Sequence, residues 1–166
     1  MLEKINTQEK KQLFDELIKC CGSKNWVNKL IEKRPFLNTE DLLLKSDEAW
    51  SFSNENDAME AFSHHPKIGD IKSLEKKFAS TKEWAGNEQI GVNTANQETL
   101  VALTNGNELY EKKFGYIFIV CATGKTAKEM LTILNSRINN NPQQELKIAM
   151  DEQNKITKIR LEKLLS

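Results

Sequence analysis

The sequence predicts an all-α protein, a single-domain bundle of about eight helices. Apolar residues recur at spacings of three and four along most of the chain, which is the pattern of amphipathic helices. Only three prolines occur in 166 residues, so few positions interrupt these stripes. A chain of this length suits one domain, because a second core would leave each half marginally stable. We therefore expect residues 1–166 to form one helical domain.

Polar residues that can cap helices stand before each apolar stripe in the first third of the chain. Their side-chain oxygens accept hydrogen bonds from backbone N–H groups that have no partner inside the helix. The apolar pattern places Trp50 and Phe52 beyond a short third helix, as core anchors. The predicted helix starts are residues 6–9 (a capping box), Ser23 and Asn38, and Arg34-Pro35 ends the second helix.

The remaining helices are predicted from turn residues and apolar stripes. Residues 57–62 form a helical turn or two that leads into the only two histidines, His64 and His65. Residues 116–122 are a continuous apolar run, which we interpret as a buried extended segment. Two further helices are predicted to start at Ser73 and Thr81, and a long helix to run from near Glu88 to Phe114, where Gly115 ends it. Another helix is predicted after Thr123-Gly124. The last follows a turn at residues 139–142 and ends at Leu165.

The segment around the two histidines is the most informative part of the chain. An imidazole titrates near neutral pH, with an ordinary pKa of about 6.5, so histidine is the usual choice for proton transfer at pH 7. His65 precedes Pro66, which disfavours the helical conformation at His65 and favours an extended backbone that aims the ring outward. On local pattern alone, a plain surface loop between two helices and a functional site are equally good interpretations.

The segment His65-Pro66-Lys67-Ile68-Gly69-Asp70, followed by Glu88-Gln89, resembles the signature of a known family. This family is the 2-oxo-4-hydroxy-4-carboxy-5-ureidoimidazoline (OHCU) decarboxylases, which are enzymes of urate degradation. Residues 110–122, 134–138 and 156–161 are similar to the family in kind and order. Four ordered blocks at compatible spacing are a specific signal, and they extend over nearly the whole chain.

The resemblance implies a small helical enzyme that decarboxylates OHCU to (S)-allantoin. The substrate supplies its own electron sink, a ring C=N group beside the carbon that loses carbon dioxide, so the resemblance implies no cofactor and no metal. A non-catalytic binding module on the same scaffold is the alternative, although such a surface needs no acid–base pair. The resemblance assigns catalysis to His65 and Glu88, and substrate binding to Pro66, Gln89, Arg160 and the backbone of Ile119 and Val120.

Arg160 is also anomalous in its own right. It follows Gln153 and Ile156 at helical spacing on a face that otherwise seeks the interior, and arginine is rarely buried without a partner. A guanidinium that reaches past the helix edge to water, or that pairs with a glutamate, explains the position without any ligand. Glu88 likewise has a bland interpretation as a solvated helix residue. The sequence departs from the family at Ala85, where the family often has serine.

Three other motifs lack the residues that their suggested chemistry needs. Gly124-Lys125 invites a phosphate-loop interpretation, but residue 119 is isoleucine where that loop needs glycine. Cys121 lies in an apolar run, where a cysteine is more often an inert core residue than a nucleophile. The adjacent histidines do not have the spacing of metal ligands. Three cysteines also do not suggest a disulfide framework, so we expect reduced thiols.

Charge and composition limit the partners. Lysine plus arginine and aspartate plus glutamate each number 24, so no excess positive charge attracts nucleic acid or an anionic membrane. No apolar run approaches the roughly 20 residues that span a bilayer, and the first residues do not resemble a secretory signal. We expect a cytoplasmic protein with a small-molecule substrate as its partner, and we leave a homodimer open.

Overall fold

The computed structural model describes residues 1–65 and 92–166, with only the backbone at 92–96. The described residues form eight helices and no strand, which confirms the all-α prediction. The helices are α1 (Leu2–Thr7), α2 (Lys10–Cys21), α3 (Lys24–Glu32), α4 (Thr39–Ser51), α5 (Glu55–Ser63), α6 (Val92–Phe114), α7 (Ala127–Arg137) and α8 (Pro142–Leu165).

The chain divides into two compact units, each with its own apolar core. The first unit consists of Met1–His65 and Leu146–Ser166, and its core includes Trp26 and Leu161, both fully buried. The second unit consists of Pro66–Glu145, and its core includes Leu103 of α6 and Leu134 of α7. The single domain across residues 1–166 stays a prediction.

Two of the three predicted helix caps in the first unit are confirmed. The Ser23 side chain accepts a hydrogen bond from the Trp26 N–H, and the Asn38 side chain accepts one from the Asp41 N–H. The predicted capping box at residues 6–9 is wrong, because a short helix, α1, already occupies Leu2–Thr7. Helix α2 starts at Lys10, and its N-cap residue, Glu9, makes no side-chain cap.

The side chain of Asn6 makes a long-range contact in place of the predicted cap. Its Nδ2 donates to the Phe36 carbonyl oxygen at 2.8 Å, and its Oδ1 accepts from the Phe36 N–H at 2.8 Å. A side-chain amide can satisfy both backbone groups of one residue, which neither local spacing nor capping preference reveals. The pair joins the end of α1 to the loop that follows α3.

Helix α4 is longer than the predicted short helix and includes Trp50. Trp50 is buried, as predicted, and its Nε1 donates to the Met150 carbonyl oxygen at 3.1 Å. Phe52 contradicts its predicted role as a core anchor, because 68% of it is exposed. It is the C-terminal cap of α4, one residue beyond the helix, and the Lys29 ammonium lies 5.0 Å from its ring centroid.

Gly22 brings the turn between α2 and α3 close to the end of α5. Its φ of +90° lies in the left-handed region, where an L side chain is strained. A Cβ atom at this position would also stand 2.8 Å from the His64 Cβ. Only glycine satisfies both conditions, so this contact helps to determine where the two histidines lie.

The second unit has a similar close approach between its helices. A Cβ at Gly106 of α6 would stand 2.7 Å from a methyl group of Leu134, so glycine allows α7 to pack tightly there. Helix α6 ends at Phe114, as predicted, and Gly115 follows with a φ of +80°. Residues 116–122 form neither helix nor strand. Within them Tyr116, Ile119 and Cys121 are buried and the other four residues are half-buried, so the predicted burial is only partly confirmed.

Some of the other predictions for the second half of the chain are confirmed, and others fall on residues that the structure does not describe. Thr126 caps α7 in a capping box with Glu129, and α8 begins at Pro142 after the predicted turn. The predicted helices at Ser73 and Thr81, and the predicted start near Glu88, lie outside the described residues. Among the described helices, none is both long and apolar enough to cross a membrane.

Candidate functional site

His65 stands immediately beyond the C-terminus of α5, as the sequence predicts. The helix ends at Ser63, and the His65 N–H still donates to the Phe62 carbonyl oxygen at 3.1 Å. This bond continues the last turn and carries the His65 backbone away from the helix in a defined direction. His65 is half-buried, so it packs against neighbouring groups and keeps some exposed surface.

The His65 ring is bound by a buried amide on α8. Its Nε2 lies 2.6 Å from Oε1 of Gln153, a residue with no exposed surface. On its other side, the Gln153 Nε2 donates to the Thr157 Oγ1 at 3.2 Å and to the Cys21 carbonyl oxygen at 3.5 Å. The Thr157 hydroxyl in turn donates to the Gln153 carbonyl oxygen at 2.9 Å. These polar groups therefore satisfy one another inside an apolar core.

The two neighbouring cysteines do not supply a nucleophile here. Both are free and buried. Burial raises the pKa of the Cys20 thiol to about 11 and that of the Cys21 thiol to about 12, because a thiolate loses its hydration in the core. Both side chains therefore stay neutral at pH 7.

Arg160 lies at the C-terminus of α2. Its Nη1 donates to the carbonyl oxygens of Lys19 at 3.3 Å and Cys20 at 3.2 Å. These carbonyls belong to the last turn of α2, where helical partners are missing and a positive charge is favoured. In the described part of the chain its hydrogen bonds go to no carboxylate, and both come from one guanidinium nitrogen. The observed partner of Arg160 is thus a helix end. The buried face of α8 runs through Gln153, Thr157 and Leu161, and not through Arg160 as predicted.

His65 and Arg160 converge on the same end of α2. The Cys20 carbonyl accepts from Arg160, and the adjacent Cys21 carbonyl accepts from Gln153, which binds the His65 ring. Three elements of the first unit, α2, α8 and the exit of α5, therefore connect the two predicted site residues to the same helix end. The fold brings together positions that are 95 residues apart in the sequence, the difference between 160 and 65.

Ile119 and Val120 belong to the second unit, where Arg137 determines the direction of their shared peptide. The Arg137 Nη1 donates to the Ile119 carbonyl oxygen at 2.8 Å. In a trans peptide the carbonyl of one residue and the N–H of the next point in opposite directions. The Val120 N–H therefore points away from Arg137.

Arg137 is part of a buried polar cluster in the second unit. Its Nε and Nη2 donate to the Glu145 Oε1 at 2.8 Å and 2.5 Å, and its guanidinium carbon lies 4.8 Å from the Phe118 ring centroid. The Tyr110 hydroxyl also donates to Oε1 of Glu145, and Asn140 donates to Oε2 at 2.8 Å. Burial raises the pKa of Tyr110, and the bond to Glu145 raises it further, so the hydroxyl keeps its proton.

Several predicted site residues cannot be placed. Pro66, Glu88, Gln89 and the departure at Ala85 lie outside the described residues. Within residues 1–65 and 92–166, no three His, Cys, Asp or Glu side chains stand close enough to hold a metal ion together. Gln153 and Arg137 contact the predicted site residues, but the sequence reasoning gave neither a role. The signal in the sequence was a polar residue within an apolar stripe, and this pattern does not reveal which group that residue contacts.

A family model described as OHCU decarboxylase matches residues 6–162. The uric acid degradation bifunctional protein TTL of Arabidopsis thaliana is 38% identical over 152 residues, which are 92% of this chain and 47% of that protein. A uric acid degradation bifunctional protein of Bacillus sp. (strain TB-90) is 26% identical over 98% of this chain and 32% of its own length. The chain thus spans less than half the length of these two relatives.

Solved structures agree with the sequence comparisons. The crystal structure of an OHCU decarboxylase in the presence of (S)-allantoin aligns with a TM-score of 0.71 and 36% identity, over 90% of this chain and 96% of that chain. A crystal structure of (S)-allantoin synthase aligns with a TM-score of 0.69 at 16% identity and shows the fold alone. The all-helical fold is that of the OHCU decarboxylases. With a family match across residues 6–162, the chain belongs to the OHCU decarboxylase family.

Proposed function

We propose that this protein decarboxylates OHCU to (S)-allantoin in urate degradation, without a cofactor or a metal. The observation that carries the proposal is the placement of His65 and Arg160 at one helix end, with the His65 ring bound through Gln153, in a chain of this family. A proton-transfer group and a guanidinium held at one helix end are what a small anionic substrate needs.

The substrate's structure explains why no cofactor is invoked. One ring carbon carries both the carboxylate and a hydroxyl group, and the next ring carbon is double-bonded to nitrogen. When carbon dioxide leaves, its bonding electrons form a C=C bond between these carbons, and the C=N electrons move to nitrogen, which takes up a proton. The hydroxyl then loses its proton to become a carbonyl, while the neighbouring carbon gains one. The net reaction consumes one proton and releases carbon dioxide.

The protein's part is therefore orientation and proton transfer. We assign proton transfer to His65 and Glu88, since proton delivery to one face of the ring makes the product a single enantiomer. Arg160 orients the carboxylate, because a planar guanidinium binds a carboxylate through two parallel hydrogen bonds. The backbone of Ile119 and Val120, with Pro66 and Gln89, binds the remaining ring and ureido groups. The direction that Arg137 imposes on the Val120 N–H supports this last assignment.

An assay that generates the labile substrate in place tests the proposal. Urate is converted to OHCU by the two upstream enzymes, and (S)-allantoin is followed by circular dichroism with and without this protein. We expect the protein to accelerate formation of the S enantiomer, and to do so after exhaustive treatment with a chelator and without an added cofactor. Tight binding of the product without turnover would instead favour a binding module, and activity restored by one metal would contradict the metal-free mechanism.

The role of Arg160 makes a separate prediction. Arg160→Lys keeps the positive charge but loses the planar fork, so we expect kcat/KM to fall, with an effect of about 2–5 kcal/mol if a buried charged hydrogen bond to the substrate is lost. Thermal unfolding of the same preparation is the control, because Arg160 also binds the carbonyls of Lys19 and Cys20. A lower Tm with unchanged kcat/KM would assign Arg160 to the helix end alone.

Three further expectations belong to the proposal. We expect a cytoplasmic protein whose partner is a small molecule. Because its formal charges are balanced, we expect it to bind neither nucleic acid nor an anionic membrane. We expect residues 1–166 to unfold as one domain. A homodimer stays open, and sedimentation of the purified chain decides it.

A further inference from the structure

Gln153 is a buried polar residue whose contacts determine more than stability. It has no exposed surface and lies between Ala149 and Leu161 on the inner face of α8. An apolar residue here would avoid the cost of burying an amide, roughly 1–3 kcal/mol when it is not compensated. The amide is instead satisfied on both sides, with the His65 ring on one and the C-terminus of α2 on the other. Such an arrangement can determine the protonation of the ring.

The orientation of the Gln153 amide follows from its neighbours. The Cys21 carbonyl oxygen can only accept a hydrogen bond, so the amide NH₂ group must face it. The Thr157 hydroxyl has already given its proton to the Gln153 backbone carbonyl, so toward the amide it also acts as an acceptor. Both contacts place the NH₂ group on this side and turn Oε1 toward His65. If the amide were reversed, its oxygen would face these two acceptors, and neither hydrogen bond could form.

This orientation dictates which nitrogen of His65 carries the proton. An oxygen 2.6 Å from the His65 Nε2 requires that this nitrogen be an N–H donor. We propose that Gln153, held by Thr157 and the Cys21 carbonyl, is a positioning residue that keeps His65 protonated at Nε2, so that the ring exchanges its catalytic proton through Nδ1. The catalytic half of this inference rests on the proposed function.

The arrangement suits a group that must both accept and return a proton. The neutral ring carries a proton at Nε2 and a lone pair at Nδ1, whereas the cationic ring carries protons at both. Nε2 therefore donates to Gln153 in either charge state, and the hydrogen bond need not break as the ring cycles between them. The ring keeps one orientation while Nδ1 takes a proton and gives it back. A tautomer held by a neighbouring acceptor is a known requirement of histidine catalysis.

Nuclear magnetic resonance of the ring nitrogens tests the inference directly. The chain has only two histidines, so ¹⁵N-histidine labelling gives two ring systems, and His64→Asn leaves His65 alone. We expect the neutral wild-type ring to be protonated at Nε2 and its N–H signal to be protected from exchange with water. Gln153→Met replaces the amide with an apolar side chain of similar length, and should remove the protection and lower kcat by about 10²-fold with a smaller change in KM.

Two variants act as controls. Thr157→Ser retains the hydroxyl group and should keep the protected signal, whereas Leu161→Val weakens the same helix face and should lower only the Tm. A wild-type ring protonated at Nδ1, or a Gln153→Met variant with an unchanged signal and kcat, would overturn the inference. A wild-type protein that makes no (S)-allantoin would contradict the proposed function alone, because the ring spectrum still decides the Nε2 assignment.

Discussion

His65→Asn should lower kcat/KM for OHCU by about 10²–10⁴-fold, the usual cost of losing a general acid or base. Asparagine keeps a polar side chain near Gln153 but cannot exchange a proton near neutral pH. The same variant should lose stereoselectivity, because any product then comes from spontaneous decay. The measurement is the rate of (S)-allantoin formation by circular dichroism, with the far-ultraviolet spectrum recorded to show that the helices persist.

His64→Asn is the matched control for this prediction. His64 is the neighbouring residue in the chain, is exposed, and is the C-terminal cap of α5. Asparagine retains the Cβ and Cγ atoms that stand nearest the turn at Gly22. We expect His64→Asn to keep nearly full activity. The reverse result, an inactive His64 variant beside an active His65 variant, would show that the proton-transfer assignment is wrong.

Arg137→Met should cost about 3–5 kcal/mol of unfolding free energy, since it removes one partner of a buried ion pair. Glu145 has no exposed surface, and its Oε1 accepts from two Arg137 nitrogens. Without the guanidinium, the carboxylate would be buried next to the Tyr110 hydroxyl and Asn140 alone. Urea unfolding monitored by circular dichroism measures the change. The Ile119 carbonyl also loses its donor, so we expect weaker substrate binding from the neighbouring Val120 N–H.

A double variant separates the ion pair from the peptide it orients. Arg137→Met with Glu145→Gln removes the unpaired charge but still offers Tyr110 an acceptor, so more than half of the lost stability should return. Substrate binding should stay weak in the double variant, because the Ile119 carbonyl remains without its arginine. Full recovery of KM together with stability would mean that Arg137 acts on the fold only. No loss of stability in the single variant would contradict the importance of the buried pair.

Local pattern succeeded where the responsible interactions are local. Ser23 and Asn38 cap their helices through a backbone N–H three residues further along, a contact that spacing reveals. The same reasoning failed at residues 6–9, because Asn6 contacts Phe36, a partner 30 residues away. It failed again at Phe52, because a large apolar residue just beyond a helix end can point to solvent. Long-range partners have no fixed spacing, so periodicity cannot find them.

The candidate site shows the same division. The proline after His65 and the helix exit before it are local features, and the sequence placed His65 correctly at the end of α5. Arg160 was predicted on a face that seeks the interior, yet its hydrogen bonds go to the end of α2. Its assignment to the substrate stays a prediction. Gln153 and Arg137 received no role, since their importance depends on groups 88 and 18 residues away.

The sequence by itself determined the helical class, several helix boundaries and the position of the candidate residue His65 at the end of α5. These follow from apolar periodicity, from capping residues and from a sequence motif, all of which depend on residues that are close together in the chain. Only the tertiary structure decided that a buried glutamine binds His65 and that Arg160 lies at the end of α2. It also decided that Arg137 turns the Ile119 carbonyl inward. The physical reason is that hydrogen-bond partners inside a core are chosen by packing, which joins residues without regard to their separation in the chain.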